Sequence, residues 1–345
     1  MKYISLFSGI GGFEIAINNV WPNAECLGYS EVKRAALNVY KSRFPDHLSL
    51  GDITGISKET LDKIALVGCD LLVAGFPCTN LSSLASVSGN HEGIQGPKSG
   101  LFFDLLRVID VIQPKHIVIE NNYSMRKSDR QLITDHLTSR RPMVCTLLDA
   151  KDFSAQCRKR LFWTTFPVSE PKRSEITLHD ILDPVKLVRP FFASDNMVEV
   201  LNRPFNKDSK RIGRIAIKVS ENVWTFVMTT GHNSKWDRGM ISDTTKKLLE
   251  VAYPVGKSRP IVGKTGGTNN MIIDRRAKNG VFIRQFTPAE CERLFGFDTD
   301  YTLDAKYKTT RISLLGNSVV VPVVEHVLQN IEKVRPLRTG EQNHQ

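Results

Sequence analysis

The sequence predicts an α/β fold built on a mostly parallel sheet, with a second, smaller and more irregular domain interrupting it. Three observations carry that prediction. Short apolar runs of strand length recur through the first 165 residues and end in glycine, a carboxylate or cysteine. Helical patterns follow several of them, and a basic segment without family of such strand ends separates them from a last helical stretch. At 345 residues, with 41% hydrophobic and 24% charged residues, the chain has room for about two ordinary globular domains.

Taken in order, Lys2 to Phe7 is a β-rich run that breaks into Ser8-Gly9-Ile10-Gly11-Gly12 and then a helical pattern from Phe13 to Val20. Glycine there lets the backbone approach a ligand closely, and the amino end of the helix favours an anionic group. The spacing is not G-x-G-x-x-G and the lysine of a phosphate loop is missing, which disfavours a nicotinamide or ATP site. Glu25 to Tyr29 is a second strand, ending in Ser30-Glu31. An acid about 20 positions beyond a glycine turn is where such folds hold ribose hydroxyls. His47 to Leu50 leads into Gly51-Asp52-Ile53, a third strand end with a carboxylate, so the edge suits a nucleoside carrying an amine.

Leu71 to Ala74 is a buried strand that runs through Gly75-Phe76-Pro77 and presents Cys78 as a nucleophile would be presented. Thr79 to Ser99 is a long polar loop of the kind that forms lids. Gly100 to Val111 reads as an amphipathic helix and His116 to Ile119 as a strand ending in Glu120-Asn121-Asn122. Glu120 lies one βα unit after Cys78, which suits it to handle protons. Val144 to Asp149 and Leu161 to Thr165 are further strands. Arg158 and Arg160 alternate before the second of these, so both are expected on one side, where they could anchor an anion. A final helix is expected from Glu325 to Val334.

Lys and Arg number 47 against 36 Asp and Glu, a net charge of +11. The excess is concentrated: Glu170 to Gly280 holds 20 basic and 12 acidic residues. Such a surplus points to a polyanionic partner. Six scattered cysteines (Cys26, Cys69, Cys78, Cys145, Cys157, Cys291), without a C-x-x-C pair or histidines at ligand spacing, argue for a reducing compartment and against a structural metal. The amino terminus resembles neither a signal peptide nor a membrane span, so a cytoplasmic protein is expected.

FSGIGGFE, GFPCTNLS, KSGLFFDLLRVI, IENN, QCRKRLFW, RQFTPAECERLFGF and GNSVVVPV together resemble the motif series of the cytosine-C5 DNA methyltransferases, in unpermuted order and over nearly the whole chain. The resemblance implies a Rossmann-like S-adenosylmethionine-dependent methyltransferase fold with a target-recognition domain. It implies S-adenosylmethionine as methyl donor, no metal, and duplex DNA as the partner of a monomer. Phe7, Gly9 and Gly11 would line the cofactor pocket, with Glu31 on the ribose and Asp52 with Ile53 at the adenine; Gly100, Leu101, Asn317 and Val319 would close it. Cys78 matches the nucleophile, Glu120 the acid at the cytosine ring, and Arg158 and Arg160 the two arginines of QxRxR. Thr79, Ser82, Asn121 and Gln156, with Lys264, Gly266 and Gly267 in the variable segment, are the expected substrate contacts. Arg284, Thr287 and Glu290 match the motif that stiffens the hinge beside the recognition domain.

On this resemblance the catalytic domain spans 1–165 and 284–335, the recognition domain 166–283, and a flexible tail 336–345. Three departures stand out. Thr79-Asn80-Leu81-Ser82 looks like the PCxxLS form of the animal de novo enzymes, Asn122 replaces the usual valine, and Asp298 stands where proline is common. A transfer-RNA cytosine methyltransferase and a catalytically silent DNA-binding paralogue are the alternative readings; intact Cys78, Glu120 and Arg158 speak against the second.

Overall fold

A computed structural model of the chain describes residues 1–77, 100–184, 214–220, 223–228, 271–274 and 282–332. Two compact units divide it. One comprises Met1–Asp149, Lys159–Pro171 and Ser318–Gln345, the other Ala150–Arg158 and Lys172–Asn317. The helices, in chain order, are α1 (Gly12–Val20), α2 (Arg34–Arg43), α3 (Lys58–Val67), α4 (Leu101–Ile112), α5 (Lys127–Thr138), α6 (Leu178–Ile181), α7 (Pro288–Phe295), α8 (Lys308–Gly316) and α9 (Val321–Leu328).

The first unit is organised by a seven-stranded sheet of β1 (Lys2–Leu6), β2 (Glu25–Ser30), β3 (Ser49–Gly51), β4 (Leu71–Ala74), β5 (His116–Asn122), β6 (Val144–Asp149) and β7 (Lys159–Thr164). Their order is β3-β2-β1-β4-β5-β7-β6. Strands β1 to β5 are parallel, and β7 runs antiparallel to both β5 and β6. Only residues 150–158 join β6 to β7. A parallel crossover needs about a dozen residues or more, so this connection can only return antiparallel.

Burial follows the sequence pattern. All four residues of β4 are buried, as an uninterrupted Leu-Leu-Val-Ala run in the sheet's centre requires. Helix α4 covers the sheet with Phe102, Leu105, Leu106, Ile109 and Ile112, spaced along one stripe. Fully burying each such side chain contributes about 1.5–3 kcal/mol. Strand order reverses direction between β1 and β4, which opens a crevice at their carboxyl ends where ligands bind in such sheets.

The second unit carries a four-stranded antiparallel sheet of β8 (Arg214–Ser220), β9 (Val223–Met228), β10 (Met271–Asp274) and β11 (Phe282–Gln285), in the order β11-β10-β9-β8. Residues 150–158 and 284–317, expected with the catalytic domain, group with this unit. Ser154 Oγ and Gln156 Nε2 donate to the Leu294 carbonyl at 2.6 and 2.8 Å, and Arg158 Nη2 to the Gly316 carbonyl at 2.9 Å. Arg158 directly precedes β7, which begins at Lys159. The last helix begins earlier than expected, at Val321, where Pro322 in the first turn costs no hydrogen bond. Lys308–Leu328 is long and apolar enough to cross a membrane by length and composition, but it is divided between α8 and α9 and buries Leu314, Leu315, Val321 and Val324. The expected tail, 336–345, lies outside the described residues.

Candidate active site

The ends of β1, β2 and β3 form one cradle. Phe7 has φ 57°, Gly9 60° and Gly11 91°, so the chain leaves β1 through a left-handed turn that a bulky Phe adopts only at a cost. Ser8 N donates to the Ser30 carbonyl at 3.1 Å and Gly9 N to Glu31 Oε2 at 2.9 Å. The other oxygen of Glu31 accepts from Val32 N and Lys33 N at 2.8 and 2.7 Å. The carboxylate thus ties the glycine turn to β2, with lone pairs remaining for a ligand hydroxyl. Ser30 Oγ reaches the Gly51 carbonyl at 2.7 Å and links β2 to β3.

Beyond β3, Asp52 Oδ1 accepts from Thr54 N at 3.0 Å and caps a short turn, Ile53–Gly55, in which Ile53 is buried. Arg107 of α4 holds that turn through the Ile53 and Ile56 carbonyls at 2.7 and 2.9 Å. Gly9 has open space where a side chain would start, and Val32 is 64% exposed beside Glu31. A turn open at Gly9, two carboxylates and an apolar face are suited to a nucleoside cofactor. Val32 was not identified from sequence, because a lone apolar residue after an acid has no distinguishing period. Gly100 and Leu101 open α4, Asn317 closes α8 through Nδ2 to the Ser313 carbonyl at 2.8 Å, and Val319 is buried ahead of α9.

Strand β4 delivers Gly75-Phe76-Pro77, and β5 lies beside it in parallel register with Ala74 opposite Ile119. Glu120, near the end of β5, is ion-paired with Arg160 Nε at 2.8 Å, Arg160 lying on β7 opposite Asn122. Arg160 Nη1 also approaches Asn122 Oδ1 at 3.5 Å, so the departure from valine at this position gives the arginine a polar neighbour that the motif comparison had not assigned. Asn121 is 1% exposed and donates from Nδ2 to the Phe76 carbonyl at 3.1 Å. Burial pushes the thiols of Cys26 and Cys69 up to about 12, which keeps both inert near neutral pH.

In the second unit Arg158 is 4% exposed, its guanidinium 5.1 Å from the Phe295 ring centroid. Gln156 is fully buried against the Leu294 carbonyl. Thr287 and Glu290 form a capping box on α7: Glu290 N donates to Thr287 Oγ1 at 3.0 Å and Thr287 N to Glu290 Oε2 at 2.8 Å. Glu290 Oε1 also accepts from Asp183 N at 2.9 Å, and Thr287 Oγ1 donates to Asp183 Oδ2 at 2.7 Å, so one cap stitches the segment after α6 to α7. Arg284 falls on β11 opposite Ile272. Cys78, Thr79, Ser82, Lys264, Gly266 and Gly267 lie outside the described residues.

The signature of the family described as C-5 cytosine-specific DNA methylase matches residues 1–333. Type II methyltransferase M.NgoBV of Neisseria gonorrhoeae is 34% identical, over 96% of this chain and 98% of that protein. Type II methyltransferase M.Bsp6I of Bacillus sp. (strain RFL6) is 27% identical, over 96% and 99%. Among solved structures, a mutant of Spodoptera frugiperda DNMT2 matches with a TM-score of 0.65 at 18% identity, covering 96% of this chain and 99% of that one. Entamoeba histolytica methyltransferase EhMeth matches with 0.63 at 17%, covering 96% and 98%. These two speak for the fold, a Rossmann-like methyltransferase sheet.

Proposed function

From its membership of the C-5 cytosine-specific DNA methylase family, to which the chain belongs, we propose that it is an active DNA (cytosine-5-)-methyltransferase that uses Cys78 as nucleophile. S-adenosylmethionine would supply an electrophilic methyl group to C5, leaving as S-adenosylhomocysteine. Glu31 would hold its ribose, Asp52 its adenine amine, and Val32 would cover the adenine, around the turn of Gly9 and Gly11.

The observation that carries the reading is the pairing of β4 with β5, which sets the Glu120–Arg160 pair on the strand beside the one that leads to Cys78. Cytosine C5 is a poor nucleophile. Addition of the Cys78 thiolate to C6 turns the ring into an enamine that attacks through C5, and loss of the C5 proton then expels the thiolate. Glu120, oriented by Arg160, hydrogen bonds N3 and the exocyclic amine and so stabilises the charge that develops on addition. Arg158 has the family role of holding the base O2 and favouring the thiolate; its bond to Gly316 and its packing on Phe295 fix the guanidinium. The cytosine must leave the duplex for C6 to be reached. Residues 166–283, with the charge surplus, would select the target. We place the enzyme in the cytoplasm, acting as a monomer on duplex DNA without a metal.

Incubating the protein with random-sequence duplex and S-adenosylmethionine, then sequencing for 5-methylcytosine, tests the reading. Methylated cytosines in one sequence context are expected, and none with Cys78→Ala. Unmodified duplex with transfer RNA methylated instead would overturn the choice of substrate.

A further inference from the structure

We infer that Asn121 is a positioning residue: its side-chain amide sets the direction in which the Phe76-Pro77 peptide carries the chain toward Cys78. The inference rests on the reading of Cys78 as nucleophile and adds a residue on which that nucleophile depends.

Strand pairing holds β4 only as far as Ala74, whose partners are Leu6 on one side and Ile119 on the other. Beyond it the Asn121 Nδ2 bond to the Phe76 carbonyl, at 3.1 Å, continues the attachment to β5. Asn121 Oδ1 accepts from Asn122 N at 2.7 Å, which fixes which end of the amide is oxygen. Turned over, the amide would set donor against donor and carbonyl against carbonyl. At 1% exposure no water replaces either bond at small cost.

The covalent geometry makes that one bond consequential. A peptide is planar, so fixing the Phe76 carbonyl fixes the plane that contains Pro77 N. The proline ring then sets Pro77 φ, and the remaining soft rotation of that residue is ψ. Phe76 is itself anchored, 3% exposed, with its ring 5.3 Å from that of Phe102. Successive residues of a strand face opposite sides. Glu120 stands at Gly75, where an added Cβ would lie 3.5 Å from Oε2, while Asn121 reaches Phe76, so β5 meets the turn from both faces.

Asn121→Asp separates the donor from the shape. It still accepts from Asn122 N, but when ionised it offers Phe76 an oxygen instead of an N–H; when protonated it can donate again. The charged neighbours on β5 and β7, Glu120 and Arg160, pair with each other and are common to variant and parent. Single-turnover methyl transfer to duplex DNA is measured from pH 6 to pH 8, each rate divided by the parent's at that pH, alongside S-adenosylmethionine affinity by calorimetry and thermal unfolding.

At least a tenfold loss is expected for Asn121→Asp at pH 8, recovering toward pH 6, with cofactor affinity within twofold. Asn121→Ala, which carries no charge, should show the loss without the recovery. Equal losses in both variants with no pH difference, a rate within twofold of the parent, a parallel loss of cofactor binding, or failure of both variants to fold would each overturn the inference. Cys78→Ala separates it from the reading beneath: activity there overturns both, whereas an inactive Cys78→Ala beside an unimpaired Asn121→Asp overturns the positioning role alone.

Discussion

Glu14 shows how one residue can couple the cofactor cradle to pH. It stands in the first turn of α1, fully buried, and its Oε1 accepts from Tyr40 OH at 3.0 Å, with His47 Nδ1 3.1 Å from the same hydroxyl. Burial raises its carboxyl from 4.5 to about 7, with hydrogen bonding offsetting part of the effect and the charge of Glu31 adding to it. The protonated form is the one the fold prefers, so the stabilisation is complete below the unfolded value near 4.5 and is lost as pH rises through about 7. Glu14→Gln, which does not titrate, should therefore gain stability relative to the parent across that window, by about 3 kcal/mol above pH 7. Denaturant unfolding at pH 5 and pH 8 measures it, and a difference that does not change with pH would contradict the account. Sequence periodicity did not single out Glu14, because Tyr40 and His47 lie 26 and 33 positions away and only the packing of α1 on α2 brings them together. Glu31 and Asp52 were legible because each follows directly on a strand, and Glu120 because it closes the apolar run of β5.

At the scale of elements, short strands of uniform type were the easiest to read: β4, buried along its whole length, and β6, at the edge of the sheet, both have the expected bounds. Less legible were places where tertiary contacts override local pattern. Arg158 has strand spacing, yet β7 begins only at Lys159, and Ser154, Gln156 and Arg158 bond instead to the carbonyls of Leu294 and Gly316. The last helix was misplaced because Val319-Val320-Val321 is a β-branched run that resembles a strand, whereas Pro322 suits a helix start. The capping box on α7 offers a test at this scale. Thr287→Ala removes the cap and its bond to Asp183 together, and should cost about 1–2 kcal/mol in denaturant unfolding. Thr287→Ser keeps the hydroxyl and should recover most of that loss, and equal losses for the two would show that the hydroxyl contributes nothing.

For the whole molecule, the family motifs account for both ends of the chain and leave the basic middle to its charge. With 20 basic residues against 12 acidic between Glu170 and Gly280, several phosphate contacts are expected. The logarithm of duplex affinity should then fall linearly with the logarithm of salt, by about 0.9 per contact. Replacing lysines there should flatten the slope and weaken all duplexes alike, whereas changes at Lys264, Gly266 or Gly267 should alter which cytosines are methylated. A slope unaffected by those lysines would assign DNA binding elsewhere. The central claim, that Cys78 adds to C6 of a cytosine in duplex DNA, is tested most directly by covalent trapping. A duplex carrying 5-fluorocytosine at the methylated position, incubated with protein and S-adenosylmethionine, should give a denaturation-resistant adduct, since fluorine blocks the elimination step. Peptide mass spectrometry should locate it on Cys78, and an adduct on another cysteine, or full methylation of ordinary duplex with no adduct at all, would contradict the account.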